Sequence, residues 1–460
     1  MKDLLSNLPN MNSLLEHSSL KDMSPDKIKY GAAIVLDKIR KDILSGTLAA
    51  LPDIDDCAAL IRAEINERPS NLQKVINATG VVLHTNLGRA PLGKEFIDTL
   101  IASCSGYNNL EYDLKTGQRG SRYAHVEELI CELIGTESAM VVNNNAAAMM
   151  LILAALAKDK KVAISRGELV EIGGSFRVPE VIVQGGAELV EVGATNKTKL
   201  SDYIDAVENK GAEVLLKVHT SNYEVVGFTA SVSISELSEY GKSVGLPVIY
   251  DIGSCFLIDA AAYGFNFGES ASQGLRAGAD VVCFSGDKLL GSSQAGIIAG
   301  RADLISKMKK HPLNRALRPD KLTLTVLEAS LRQYRFPDEA ADKIPTLSMM
   351  FAKQNDLKAK ALALADILKE FLTSWNISVV DALDETGGGS LPNVTLPGAA
   401  VAIIPDNISL NTLEHKLRLN KVPIIIRIQG DMALISLRTL LPGDEDIIIN
   451  ALKSIGACHD

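Results

Sequence analysis

The chain has 460 residues, 47% of them hydrophobic and 22% charged, a balance that predicts a globular protein of two or three domains. Its formal net charge of −9 argues against non-specific nucleic-acid binding over the whole surface. Six scattered cysteines indicate reduced thiols of a cytosolic protein, not a metal site or disulfide frame, and no secretory signal or membrane-spanning run is expected.

Residues 1–70 are predicted to form a polar, helical domain that ends near Pro69 and Ser70. Apolar residues between Ile28 and Ile43 recur at helical spacing. Basic residues cluster in the same stretch, at Lys27, Lys29, Lys38, Arg40 and Lys41. On a helix, some of these would share a face and contact a phosphate backbone, or they would form an ordinary solvated face. The sequence leaves both interpretations open.

Residues 71–340 alternate short β-branched runs with helical patterns. Such near-continuous apolar strands predict an α/β domain with a mostly parallel sheet covered on both faces. The predicted strands are Ala139–Val142, Lys161–Ser165, Leu189–Val192, Val214–Val218, Pro247–Asp251, Val281–Ser285 and Gly296–Ala299.

Residues 341–460 are predicted to form a small α+β domain. A long helix is expected from Met349 to Trp375, followed by a glycine-rich loop from Gly387 to Pro392. Strands are expected at Val401–Ile404 and Ala433–Leu437.

Three asparagines separate the predicted strand Ala139–Val142 from an alanine-rich helix. Asn144, Asn145 and Ala146 would place free backbone N–H groups at the helix N-terminus, where a phosphate group is favoured. A capped helix start without a ligand would have the same sequence. The segment is therefore a candidate phosphate site.

The segment from Leu246 to Ser254 contains a short apolar strand that is predicted to end in Asp251. The carboxylate of Asp251 would pair with a protonated pyridine nitrogen and keep that ring electron-withdrawing. A turn or helix-capping aspartate is the alternative.

A lysine follows the next predicted strand. Lys288 stands three residues after Ser285, and a lysine delivered in this way can hold pyridoxal phosphate as a Schiff base while Ser285 reaches its phosphate. A solvated loop lysine is the alternative. The order of phosphate site, acidic strand end and lysine favours the cofactor.

Six motifs along the chain resemble those of the bacterial selenocysteine synthases, the L-seryl-tRNA(Sec) selenium transferases. They are Ile76–Leu92, Ser165–Arg177, Glu191–Asn196, Val218–Tyr223, Phe284–Gly291 and His311–Arg318. The resemblance covers essentially the whole chain. It implies the pyridoxal phosphate-dependent transferase fold of aspartate-aminotransferase type, and a cytoplasmic homo-oligomer, a decameric ring of dimers.

The resemblance also implies a reaction. Serine esterified to tRNA(Sec), which the N-terminal domain holds, would lose its β-hydroxyl and gain selenium from selenophosphate. Lys288 would remove the α-proton and Asp251 would keep the cofactor ring protonated. Asp287 would lie close to the reacting centre, in a role that the sequence leaves open.

The same family motifs supply arginines. Arg89, Arg315 and Arg318 would bind the selenophosphate anion, and the last two would share a face if their segment is helical. Arg166 follows a strand end and would lie near the cofactor or form a structural ion pair. His219 would stack on the cofactor ring.

Two features depart from the family pattern: Cys255-Phe256, where small polar residues are expected, and Gly291-Ser-Ser-Gln294. An alternative function is a lyase or aminotransferase-like enzyme that acts on a free, phosphorylated amino acid. A non-catalytic tRNA-binding protein is a second alternative, which the presence of Lys288 and Asp251 disfavours.

Overall fold

The computed structural model describes residues 8–46, 48, 50–66, 71–171, 177–265, 270–391 and 394–457. The chain forms two compact units, Met1–Lys74 and Val75–Asp460. The domain boundaries expected at 70/71 and 340/341 remain predictions, and Pro69 and Ser70 lie outside the described residues.

The N-terminal unit is helical in its described part. Its helices are α1 (Met11–Leu15), α2 (Pro25–Leu44) and α3 (Ile54–Asn66). Pro25 starts α2 at a position where a proline lacks no needed N–H. The predicted helix over Ile28–Ile43 is thus present, and its apolar residues form a small core with Cys57 and Ile61.

The five clustered basic residues of α2 are all exposed. At 3.6 residues per turn, Lys27, Lys38 and Lys41 lie along one side of the buried face, and Lys29 and Arg40 lie along the other. Lys41 also pairs with Asp37, with 2.9 Å between nitrogen and oxygen. The cations therefore flank the core of this unit on both sides.

The second unit alternates strands and helices. Its strands are β1 (Ile76–Asn77), β2 (Tyr112–Asp113), β3 (Gln118–Arg119), β4 (Ser138–Val142), β5 (Lys161–Ser165), β6 (Glu188–Val192), β7 (Val214–Val218), β8 (Val248–Gly253), β9 (Val281–Ser285), β10 (Gly296–Gly300), β11 (Asn376–Glu385), β12 (Thr395–Ile404), β13 (Ile424–Ile425), β14 (Arg427–Gln429) and β15 (Met432–Ser436). Its helices are α4 (Lys94–Cys104), α5 (Glu127–Ile134), α6 (Asn145–Leu156), α7 (Val178–Gln184), α8 (Leu200–Glu208), α9 (Ile234–Val244), α10 (Ala271–Arg276), α11 (Ala302–Lys310), α12 (Leu313–Leu317), α13 (Lys321–Gln333), α14 (Pro337–Lys343), α15 (Pro345–Phe351), α16 (Gln354–Phe371), α17 (Leu410–Arg418) and α18 (Asp444–Ala457).

The seven predicted strands form one sheet in the order β4-β10-β9-β8-β7-β5-β6. Only β10 runs antiparallel to its neighbours in this sheet. Successive side chains of a strand enter opposite apolar cores, as Val141 and Val142 of β4 do. The sheet is therefore covered on both faces, which confirms the predicted α/β architecture.

A second sheet, β11-β12-β15-β14, is antiparallel. The predicted strands at Val401–Ile404 and Ala433–Leu437 correspond to β12 and β15, whereas β11 was not predicted. The first residues of this unit pack with its C-terminal part. The strand β1 pairs with β13 in parallel, and the amide of Val82 donates to the carbonyl of Glu385, at the end of β11, at 2.9 Å.

The single long helix expected from Met349 to Trp375 is wrong. The helix α15 ends at Phe351, and Ala352 has extended backbone angles before α16 begins. In the described part of the chain, no helix combines the length and apolar character needed to cross a bilayer.

Candidate active site

The candidate site lies at the carboxyl ends of three adjacent strands. Asp251 in β8 is in register with Val218 of β7 on one side and Cys283 of β9 on the other. Lys288 follows β9 by three residues. The parallel pairing therefore brings the predicted acid and lysine to one edge of the sheet, where ligands of open α/β sheets bind.

Asp251 is 2% exposed, and three donors converge on one of its carboxylate oxygens. The Asn145 amide nitrogen lies 2.8 Å from Oδ1, the Gly253 backbone amide 3.0 Å and the Cys283 thiol 3.6 Å. Among the described residues, Oδ2 accepts no hydrogen bond. Burial raises the pKa of Asp251, and the Asn145 donor opposes that rise.

Lys288 is 5% exposed, and its Nζ donates to the carbonyl of Gly389 at 2.8 Å. Burial lowers the pKa of Lys288, and the positive charge of Arg89 lowers it further. Both effects increase the fraction of neutral amine, which is the reactive form.

Arg89 and Asp287 form an ion pair beside this lysine, with 2.9 Å between Nη1 and Oδ2. The Ala90 amide also donates to the carbonyl of Asp287 at 3.3 Å. Arg89 has a positive φ of 61°, which is rare for a residue with a side chain. The structure thus joins the first and fifth family motifs at the lysine.

The N-terminus of α6 lies next to the end of β9. Gly296 of β10 is in register with Ser285 of β9 and with Val142 of β4, which leads into α6. A Cβ on Gly296 would lie 2.2 Å from the carbonyl oxygen of Asn144, so this close approach requires glycine. Ser285 and the start of α6 are therefore neighbours.

The three residues of the predicted phosphate site have different surroundings. The side chain of Asn144 caps α6 by accepting from the Ala147 amide at 2.8 Å, and the side chain of Asn145 faces Asp251. In the described structure, the backbone amides of Asn145 and Ala146 have no acceptor, as expected at a helix start. These two amides remain candidates for phosphate binding.

His219 and Arg166 follow neighbouring strands but differ in their contacts. The His219 amide donates to the carbonyl of Asp251 at 2.8 Å, which fixes this half-buried residue beside the acid. The Arg166 guanidinium pairs with Glu191 at 2.8 Å and is about half exposed. Stacking by His219 and a cofactor contact by Arg166 remain predictions.

Arg315 and Arg318 do not share a helical face, because α12 ends at Leu317 and Arg318 is extended. Arg315 is exposed, and Arg318 lies 3.5 Å from Glu111. Among the described residues no hydrogen bond or ion pair joins either arginine to Asp287 or Lys288. Their anion-binding role remains a prediction.

Sequence reasoning missed three contacts of this site: the Asn145 side chain on Asp251, the Cys283 thiol and the Gly389 carbonyl. The available sequence signal was the glycine-rich loop to which Gly389 belongs, and the structure gives this glycine a φ of 82°. The divergent Phe256 packs in an aromatic core, 5.8 Å from the ring centre of Phe351. Residues 172–176 of the second motif lie outside the described residues.

These residues fit pyridoxal phosphate. Lys288 offers a buried amine of lowered pKa, and the free Oδ2 of Asp251 offers an acceptor for a ring N–H. The amides at the start of α6 suit a phosphate group. Two buried polar atoms in this region, Asn145 Oδ1 and Ser221 Oγ, lack a partner in the described structure, as expected where a polar ligand binds.

Comparisons with known proteins agree with the geometry. The L-seryl-tRNA selenium transferase family matches residues 75–441. An L-seryl-tRNA(Sec) selenium transferase of Moorella thermoacetica is 48% identical over 465 residues, covering 100% of this chain and 98% of the relative. A second, of Clostridium botulinum (strain Loch Maree / Type A3), is 44% identical over 458 residues and 99% of each chain.

A solved structure shares the fold. D-Glucosaminate-6-phosphate ammonia-lyase aligns with a TM-score of 0.58 at 20% identity, covering 84% of this chain and 97% of the other. This likeness concerns architecture alone. Together with the sheet order and the strand-end site, it confirms the predicted pyridoxal phosphate-dependent transferase fold.

Proposed function

This chain belongs to the L-seryl-tRNA selenium transferase family, and we propose that it converts L-seryl-tRNA(Sec) to L-selenocysteinyl-tRNA(Sec) with pyridoxal 5′-phosphate as cofactor and selenophosphate as selenium donor. The observation that carries the proposal is the placement of buried Lys288 and buried Asp251 at the carboxyl ends of two adjacent strands. The fold alone hosts many reactions, so the activity rests on this site together with the family match.

When bound, the cofactor supplies an electron sink that stabilises negative charge at the serine α-carbon. Lys288 holds the cofactor and then moves the α-proton, because its lowered pKa makes the neutral amine available. Asp251 would keep the ring nitrogen protonated by accepting its N–H through Oδ2, since the three donors that the structure shows all contact Oδ1. The first amides of α6 and the Ser285 hydroxyl bind the phosphate.

The second half of the reaction replaces oxygen by selenium at the β-carbon. The β-hydroxyl would leave as water after taking up a proton, and the selenium of selenophosphate would bond to the β-carbon. Water would then attack phosphorus and break the Se–P bond, which releases phosphate and leaves the selenol. Arg89 binds the oxyanion of selenophosphate, and Asp287 orients the Arg89 guanidinium at 2.9 Å. Arg315 and Arg318 contribute further positive charge to the anion site.

The N-terminal unit binds the tRNA in this proposal. The exposed cations that flank its core, three on one side of α2 and two on the other, suit contacts to a phosphate backbone. The homo-oligomer, with a decameric ring as its specific form, and the cytoplasmic location belong to the same proposal.

Product analysis tests this function. The holoenzyme is incubated with selenophosphate and radiolabelled seryl-tRNA(Sec), and the amino acid released from the tRNA is identified by mass. We expect selenocysteine, and no product from free serine or free phosphoserine. Conversion of a free amino acid, with seryl-tRNA(Sec) left intact, would instead establish the alternative lyase. The Lys288→Ala variant provides the inactive control.

A further inference from the structure

A cleft of about 840 Å³ opens beside the candidate active site. Residues of its wall lie close in the chain, or by a backbone hydrogen bond, to Asp251 and to the residue that contacts Lys288. His219, which lines the cleft, donates its backbone amide to the carbonyl of Asp251 at 2.8 Å. Leu391, which also lines it, stands two residues after Gly389, whose carbonyl accepts from Lys288. The cleft wall therefore includes residues that lie next to the contacts of both reactive groups.

The cleft has an aromatic wall. The rings of Tyr263 and Phe351 are stacked, with centres 4.3 Å apart and planes inclined by 12°. Phe265 supports the stack at 5.4 Å from Phe351. All three rings line the cleft and are partly exposed. Flat aromatic surfaces of this kind bind unpaired nucleobases by stacking.

The arginine in the cleft wall is not available to a carboxylate. Arg438 is 3% exposed, and its guanidinium donates to Asp384 at 3.0 Å and to the carbonyls of Met349 and Pro397 at 2.6 Å each. Its charge is thus already neutralised by a buried partner. The cleft therefore suits an ester, which has no free α-carboxylate, better than it suits a free amino acid.

We propose that this cleft binds the 3′-terminal adenosine of the charged tRNA, with the base extending the stack of Tyr263 and Phe351. The inference rests on the proposed function, since it is the ester bond to this nucleoside that holds it beside the serine. Lys353, exposed at the cleft, faces the phosphate that links the adenosine to the rest of the strand. The site thereby selects aminoacyl esters over free amino acids.

Steady-state kinetics of the holoenzyme test the proposal. Tyr263→Ala should raise KM for seryl-tRNA(Sec) about tenfold or more, from the loss of one base–aromatic stack, and leave kcat within about twofold. Tyr263→Phe keeps the ring and loses only the hydroxyl contact to Asp338 at 3.2 Å, so its KM should stay close to wild type. Phe228→Ala removes an aromatic ring, 89% exposed, that does not line this cleft, and serves as the second control.

Nucleotide binding provides an independent measurement. Adenosine 5′-monophosphate should bind the holoenzyme in calorimetry more tightly than cytidine 5′-monophosphate, and Tyr263→Ala should abolish the difference. An unchanged KM in Tyr263→Ala, or equal binding of the two nucleotides by wild type, overturns the inference. Failure of the proposed function has another signature, because wild type would then leave seryl-tRNA(Sec) unconverted whatever the nucleotide result.

Discussion

The guanidinium of Arg89 lies 2.9 Å from the carboxylate of Asp287, although 198 positions separate the two residues in sequence. This ion pair places a fixed cation beside Lys288, whose pKa it helps to lower. The negative charge of Asp287 raises the pKa of Lys288, and the positive charge of its partner Arg89 offsets this rise. The pair therefore couples the proposed anion site at Arg89 to the protonation of Lys288.

Replacement of Arg89 should change the pH dependence of cofactor binding. In Arg89→Gln the pKa of Lys288 should rise, because a nearby cation is lost and Asp287 is no longer paired. A higher pKa leaves less neutral amine at a given pH, so half-maximal cofactor incorporation should move to higher pH. The visible absorbance of bound cofactor across a pH series measures this. Arg89→Lys keeps the charge and should shift less.

Loss of the Asn145 side-chain amide should remove one of the hydrogen bonds that position the carboxylate of Asp251. Asn145→Ala removes the closest donor from Oδ1, so the pKa of Asp251 should rise and the carboxylate should be less fixed. We expect kcat to fall about 10- to 100-fold, the effect of losing one hydrogen bond to a charged group. Asn143→Ala, at an exposed asparagine two residues earlier, is the matched control. Equal kinetics of both variants would contradict the assigned role.

Alanine substitutions at the adjacent Gly388 and Gly389 test whether cofactor binding depends on the left-handed backbone of Gly389 and not merely on the loop sequence. Gly389 has a φ of 82°, and a Cβ there would lie 3.2 Å from the Lys288 nitrogen. Gly389→Ala should therefore weaken cofactor binding by about tenfold or more, since the strain costs on the order of 1–3 kcal/mol. In Gly388→Ala the added Cβ meets only Thr85, at 3.7 Å. Cofactor titrations should leave that second variant near wild type.

The buried ion pair behind the cleft should contribute to stability. Asp384 and Arg438 are 0% and 1% exposed in their side chains, with 3.0 Å between oxygen and nitrogen. Asp384→Ala should lower the free energy of unfolding by about 3–5 kcal/mol, because it leaves Arg438 buried without a counter-charge. Asp381→Ala, which breaks an exposed pair with Lys358, should change it little. Urea denaturation compares the two.

The central sheet could be predicted because most of its strands are buried on both faces and consist almost entirely of apolar residues, as β4 and β9 do. The strand β11 alternates exposed and buried positions and contains Asp381 and Asp384, so it lacks that signal. The break at Ala352 carries no proline or glycine. It coincides with the packing of Phe351 against Tyr263 and Phe265, a tertiary contact that sequence periodicity does not report.

Site residues that end or directly follow predicted strands could be predicted from the sequence. Contacts between these residues and loops distant in the chain could not. Asp251 ends one predicted strand and Lys288 follows another, and their order along the chain after the predicted phosphate site favours the cofactor over the structural alternatives. The contact of Lys288 with Gly389 joins residues 101 positions apart, and the loop that carries it has no periodic pattern. Arg315 and Arg318 would share a face only if one helix contained both, and that condition is not met, since Pro319 disfavours helical backbone at Arg318.

The most direct test of the central claim is the visible absorption spectrum of the purified protein with pyridoxal phosphate, titrated with seryl-tRNA(Sec) and separately with free serine. We expect a band from lysine-bound cofactor that is absent in Lys288→Ala and that shifts with the charged tRNA but not with free serine. A wild-type protein without such a band, or with one that responds only to the free amino acid, would contradict it.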